Sequence, residues 1–232
     1  MPEGLPELPP VFAPILRLRE AGDAMARAAA LAPEHGAGTL VWVSAYDRIE
    51  AAVVLEPEQA LAAARPALLA AVSALADALG AYGPAEIPVT FAWPALIKVN
   101  GGVVGGARLL APPGATDDAV PDWLVLGIEA RFAAPVDHVP GHDPGRTSLV
   151  EEGFSEASPA ELTAAWARHL MAGLADWQGQ GIRRLAERYL ARLERVPEDE
   201  GAKRGIDPAT GDLVLDFGSE RRRIALAEAV GA

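Results

Sequence analysis

The segment Phe91-Ala-Trp-Pro-Ala-Leu-Ile-Lys-Val-Asn-Gly-Gly-Val-Val-Gly-Gly-Ala-Arg-Leu-Leu110 decides the fold. It reads as two strands joined by Asn100-Gly101, the favoured pair for a two-residue hairpin turn because both central positions need positive φ. With that turn, Val99 opposes Gly102 and Lys98 opposes Val103. Directly opposed residues share a face, with Cβ atoms roughly 5 Å apart, so Lys98 is expected beside Val103. Gly105 and Gly106 interrupt the second strand. A phosphate-binding glycine loop opens a helix, whereas strands flank this one, so these glycines mark close approach by a ligand or by a neighbouring strand.

Working outward, residues 88–94 add a further strand on the upstream side. Upstream of that, residues 58–79 form an alanine- and leucine-rich helical pattern, with Pro66 as a kink or a break between two helices. Residues 39–45 and 49–57 read as two strands joined tightly through Ala45 to Arg48, and residues 17–32 read as a helix stopped by Pro33 and the following glycines. Residues 1–14 hold five prolines and read as an irregular arm. Downstream, residues 123–132 are another strand. Two amphipathic helices across 159–194 break near Gly179 to Gly181. An acidic linker, residues 196–204, leads to three short alternating stretches in the tail. Strands and helices in this order predict an α+β domain, a mixed β-sheet packed against helices, rather than a strict βαβ alternation. The expected organisation is an arm (1–14), a main domain (15–196) and a small C-terminal β module (203–232) that is too short to stand alone.

The chain has 232 residues, a net charge of −12 and a pI near 4.8. Such a surface repels a phosphate backbone, which argues against nucleic acid as a partner. No signal-peptide pattern and no run of 18 or more apolar residues is evident, so a membrane partner is not expected and the cytoplasm is the expected location. The absence of cysteine excludes disulfides, thiolate metal sites and acyl transfer through a protein thioester. Only Lys98 and Lys203 are lysines, which makes any chemistry needing a lysine amine easy to localise.

Residues 91–110 resemble the signature of biotin–protein ligases, roughly KWPNDIYVNGKKIGGILIE, with Trp93-Pro94, Ile97, Val99-Asn100-Gly101 and Gly105-Gly106 in the same register. Residues 124–132 are similar to that family's VIGIGINVN strand. Arg146-Thr147-Ser148-Leu149 and the helices after it are similar to its TSL segment, and residues 205–217 to the start of its C-terminal β-barrel module. The resemblance runs along nearly the whole chain in order, without a DNA-binding extension. It implies a class II synthetase-like catalytic fold. It also implies a chemistry in which biotin or lipoate reacts with ATP to give an acyl-adenylate that a lysine of an acceptor domain then attacks.

The sequence departs from that family at its catalytic positions. The glycine- and arginine-rich GRGRRG run that closes over the adenylate is reduced to residues 43–49, where Arg48 alone could approach a phosphate. The Asn-Asp pair after Trp-Pro becomes Ala95-Leu96. The catalytic lysine becomes Val103. In the first helix, Asp23 is the one polar survivor of the family's Ser-Thr-Asn. Lys98, across the turn from Val103, is either a partial substitute for the lost lysine or an ordinary exposed strand lysine. By the resemblance, Gly105, Gly106, Ala107 and Arg108 are candidate cofactor-binding residues. Trp93 is either core or the wall of a cofactor slot.

Other candidates carry less. Asp137, His138, His142 and Asp143 could contribute to a metal site, but Pro140-Gly141 forbids the helical geometry that makes such spacing converge, and three or four convergent ligands are needed. The expectation is a solvated loop and no metal. His35 and His169 are isolated. Trp123, Trp166 and Trp177 read as packing residues, and Arg221-Arg222-Arg223 as a solvated strand rim. Two functions of different class follow. One is a divergent ligase using Lys98, Arg108 and Arg48 as its cations. The other is a non-catalytic protein of the same fold that binds the acid cofactor or the acceptor domain. Fold alone does not choose between them.

Overall fold

The computed structural model describes residues 4–135 and 145–227. A seven-stranded sheet is built from β1 (Ile15–Leu18), β2 (Leu40–Val43), β3 (Arg48–Leu55), β4 (Val89–Ala92), β5 (Leu96–Val99), β6 (Gly102–Leu110) and β7 (Leu124–Arg131). Its spatial order is β1-β2-β3-β7-β6-β5-β4. Only β1 and β2 run parallel; the other neighbours are antiparallel. On the face that meets the helices the central strands β3 and β7 are apolar throughout, with Ile49, Ala51 and Val53 beside Leu126, Ile128 and Ala130.

One face packs on α3 (Ala67–Tyr82), α4 (Pro159–Gln180) and α5 (Ile182–Arg192). This is the larger core, with Leu40, Trp42, Val53, Leu126 and Ile128 from the sheet meeting Leu68, Leu75, Leu79 and Trp166 from the helices. Trp166 donates its indole N–H to the Ala71 carbonyl at 3.1 Å, so α4 is keyed to α3 without an orphaned donor. The opposite face is covered only at one end. There α1 (Ala24–His35) lays Ala24, Ala28 and Leu31 against Val41, Val43, Ala52, Val54 and Val125. Met25 lies directly over Gly127, where a Cβ would come within 2.1 Å of its sulfur.

The expected helix over 17–32 needs correction. Residues 15–18 are a strand, because Ile15 to Leu18 finds a parallel partner in Leu40 to Val43. The helix begins only at Ala24, where the Asp23 side chain caps the Ala26 N–H at 2.9 Å. Pro33 sits inside its last turn, and the chain turns out of the helix at Gly36 with φ of 68°. Pro33 there removes only its own donor, which makes it a weak stop. Pro66 does separate two helices, α2 (Leu61–Ala64) and α3. Residues 61–82 are long and apolar enough to cross a membrane by composition, yet 78% of their most apolar 18-residue window is buried within the fold, as a core helix should be. α4 begins in a capping box formed by Ser158 and Glu161 and ends at Gly181 with φ of 75°.

A 3-10 turn at Pro197–Asp199 leads to a separate three-stranded antiparallel sheet of β8 (Lys203–Ile206), β9 (Leu213–Asp216) and β10 (Arg221–Ile224). Leu213, Leu215 and Leu226 join the main core, so this small sheet docks on the body. The Arg221 to Arg223 run is its exposed outer strand. The Asp137–Asp143 cluster lies outside the described residues.

Candidate functional site

The hairpin of β5 and β6 closes at Asn100 (φ 51°) and Gly101 (φ 84°), both left-handed as the turn demands. Val99 pairs with Gly102 and Lys98 with Val103, the register that the turn imposes. A bulge then inserts one residue, and pairing resumes at Ile97 with Gly105 and Leu96 with Gly106.

Alternation along the strands places Ala92, Leu96, Gly106, Glu129 and Glu50 in one row across β4, β5, β6, β7 and β3. Arg108 and Leu110 lie on the same face as this row, and so do Lys98 and Val103. This is the face that carries α1 at its other end. Leu96 is 47% and Leu110 41% exposed, so the face stays open over β5 and β6.

Every cation proposed from sequence for this face has a carboxylate partner. Arg48 Nε donates to Glu50 Oε2 at 2.8 Å, and its Nη2 reaches the Glu20 carbonyl at 2.5 Å. Burial alone would lower the Arg48 pKa, but the Glu50 hydrogen bond and charge outweigh it and hold the guanidinium charged. The other Glu50 oxygen accepts from the Ala24 N–H at 2.8 Å, so Arg48 is bound into the start of α1. Lys98 Nζ donates to Glu194 Oε2 at 2.7 Å, while Thr90 donates to Glu194 Oε1 at 2.7 Å. Arg108 is the loosest, with Glu129 Oε2 3.6 Å away and its side chain 62% exposed.

The remaining candidates take structural places. A Cβ on Gly105 would sit 2.0 Å from the Glu129 carbonyl oxygen, and one on Gly106 would sit 2.4 Å from that of Ala95. Both glycines are therefore required by neighbouring backbone. Ala107 lies on β6 one residue before Arg108, on the alternate face. Trp93 packs edge-on against Tyr189, with ring centroids 6.1 Å apart. Ala95 is buried, and the Asp23 carboxylate caps α1.

Sequence reasoning missed Glu50, Glu129, Arg131 and Glu194. A carboxylate inside the apolar run of β3 was a legible sign of a buried partner for a cation. Glu129 and Arg131 alternate with apolar residues on β7 and so share the open face; Arg131 is paired directly with Arg48. Glu194 follows α5, 96 residues from Lys98, and no local pattern marks it.

Burial opposes ionisation of Glu194, but hydrogen bonds from Lys98 and Thr90, with the Lys98 charge, outweigh that and lower its pKa below the ordinary 4.5. A lowered carboxylate contributes stability above its unfolded pKa and loses it as pH falls through the folded value. The expected result is a fall in urea midpoint below about pH 4.5 that is smaller in Glu194→Gln by roughly 0.5–1 kcal/mol. An unchanged acid limb in that variant would show that the contact carries no stability.

The model of the biotin/lipoate A/B protein ligase family matches residues 8–191, ending before β8. Among solved structures, a biotin protein ligase-like protein of unknown function from Silicibacter sp. TM1040 superposes with a TM-score of 0.82 at 24% identity, covering 97% of this chain and 98% of that one. Biotin protein ligase from Aquifex aeolicus, in complex with biotin and ATP, gives 0.67 at 15% identity, covering 92% and 96%. That from Leishmania major, in complex with biotinyl-5-AMP, gives 0.53 at 17%, covering 91% and 97%. No curated protein matches the chain. At these identities the structural likeness speaks for the fold.

Proposed function

The chain belongs to the biotin/lipoate A/B protein ligase family, and from that premise we propose that it binds a small carboxylic acid of the biotin or lipoate kind on the open sheet face without activating it with ATP. The observation that carries this reading is the pairing of Arg48 with Glu50 and of Lys98 with Glu194. A triphosphate needs several cations that are not already neutralised, or a metal ion to bridge its oxygens. The connection between β2 and β3 spans only Ser44 to Asp47, which is too short to fold over a ligand. Among the described residues no cluster of three or more His, Asp or Glu side chains could hold a metal. These residues do not fit a nucleotide.

They fit a monocarboxylate better. Arg108 stands exposed between the apolar side chains of Leu96 and Leu110, and Glu129 engages it only loosely. Its planar fork suits a carboxylate, and the apolar strip suits a short aliphatic body. The acid would be taken free or borne on an acceptor domain. One observation favours the alternative of an active ligase: Lys98 lies directly opposite Val103, beside the vacated lysine position.

Calorimetry with biotin, lipoate and octanoate, together with ATP–pyrophosphate exchange, separates the two readings. The expected result is saturable binding of at least one acid, no exchange, and an affinity roughly tenfold weaker in Arg108→Ala. Exchange that disappears in Lys98→Ala would establish the ligase instead. No heat from any of the three acids would overturn the binding reading.

A further inference from the structure

A second concavity lies far from the sheet face just described, beyond the opposite end of β3. Arg48 and Leu55 bound that strand, so its two ends stand roughly 23 Å apart. The pocket has a volume of about 930 Å³ and sits on the α3–α4 side of the sheet. Its apolar walls are Val53, Leu55 and Leu124 from the sheet and Met171, Leu174 and Trp177 from α4. These three α4 residues recur at three-residue spacing, a stripe that the core does not fully cover. A small-molecule site commonly has this size and this largely apolar lining.

The polar groups of the mouth share one sign. Glu56 and Glu58 line it, both are exposed, and neither forms an ion pair among the described residues. The Glu56 carboxylate lies against Gly36, where a Cβ would come within 2.7 Å of Oε1. That position is the C-terminal end of α1, whose dipole is negative there. The C-terminal end of α4 also reaches the pocket, through Gln178 and Gly181, and α5 begins at that same Gly181, so the two helix ends offset each other there. Among the described residues no lysine, arginine or histidine lines this space; His35, in the last turn of α1, is not one of them. Two carboxylates thus stand at the mouth of an apolar pocket that no basic side chain lines among the described residues.

We propose that this pocket binds a small amphiphilic cation, an ammonium group carried on an aliphatic or aromatic body, with the body against Met171, Leu174 and Trp177 and the charge at Glu56 and Glu58. Burying the body removes apolar surface from water. The cation meets the two carboxylates at the mouth, Glu56 and Glu58. A carboxylic acid of the same chain length is repelled, the reverse of the selectivity proposed for the sheet face, and the two sites do not overlap.

The test is a titration of the full chain with octyltrimethylammonium, octanol and octanoate, read by tryptophan fluorescence in the wild type and in Trp177→Phe. The ammonium is expected to give a saturable change that Trp177→Phe removes, with octanol weaker and octanoate giving no Trp177-dependent change. The double variant Glu56→Gln with Glu58→Gln should weaken the ammonium roughly three- to tenfold and leave octanol unchanged. Both glutamates are exposed, so this variant leaves the core intact. A Trp177-dependent response to octanoate as strong as that to the ammonium overturns the proposal. So does an unchanged ammonium affinity in the double variant, or the absence of any Trp177-dependent signal. None of these outcomes bears on acid binding at Arg108.

Discussion

Gly105→Ala is expected to lower stability by about 3 kcal/mol or more, seen as a fall in urea midpoint with little change in slope. The added methyl would meet the Glu129 carbonyl oxygen at 2.0 Å and the Ala130 Cα at 2.6 Å. Both are backbone atoms of β7, which is itself hydrogen-bonded to β3 along its whole length. Relief therefore requires β6 and β7 to separate near the middle of the sheet, where no rotamer change can help. Gly101→Ala supplies the control. Nothing lies within 4 Å of its would-be Cβ, and only the φ of 84° opposes the substitution, at about 1 kcal/mol. If Gly105→Ala folds with near-normal stability and fails to bind acid, the glycine serves a ligand and the strand-packing account is wrong.

The hairpin was legible because its chemistry is local. Asn100-Gly101 dictates its own backbone angles, and the register follows from them, which is why the pairing of Lys98 with Val103 could be read from twenty residues. The break at Pro66 was legible for the same reason. The short strand Ile15–Leu18 was not, because four residues become a strand only when β2 arrives beside them, and alanine-rich sequence after them reads as helix from either side. The partners of the cations were hidden more deeply. Glu194 meets Lys98 across 96 residues, and that contact exists only because the end of α5 runs alongside β4, with the Glu194 N–H donating to the Phe91 carbonyl. The family resemblance located the frame correctly. The carboxylates that neutralise the remaining cations became visible only when the sheet was assembled.

Arg204→Met is expected to cost about 3–5 kcal/mol, the loss typical of breaking a buried ion pair from one side. Arg204 projects from β8 into the end of α5. Its Nη1 donates to the Glu194 carbonyl at 2.8 Å and to Asp199 Oδ2 at 3.3 Å, and its Nη2 donates to the carbonyls of Leu193 at 2.9 Å and Leu190 at 3.2 Å. Both charged side chains are nearly inaccessible, at 10% for Arg204 and 3% for Asp199. One guanidinium therefore closes the C-terminus of α5 and fastens the three-stranded sheet to it. Methionine fills similar volume but leaves the Asp199 carboxylate buried with only the Val196 N–H at 3.0 Å, and leaves three carbonyls short of donors. Arg204→Lys keeps the charge but not the fork, so it should recover only part of the loss. The consequence reaches the sheet face, because the residue whose carbonyl Arg204 holds is the one whose carboxylate holds Lys98. In Arg204→Met, protease cleavage is expected between α5 and β8, and Lys98 should become more reactive toward an amine-directed acylating reagent. Stability within about 0.5 kcal/mol of the wild type, with Lys98 reactivity unchanged, would show that the small sheet is held by Leu213, Leu215 and Leu226 alone.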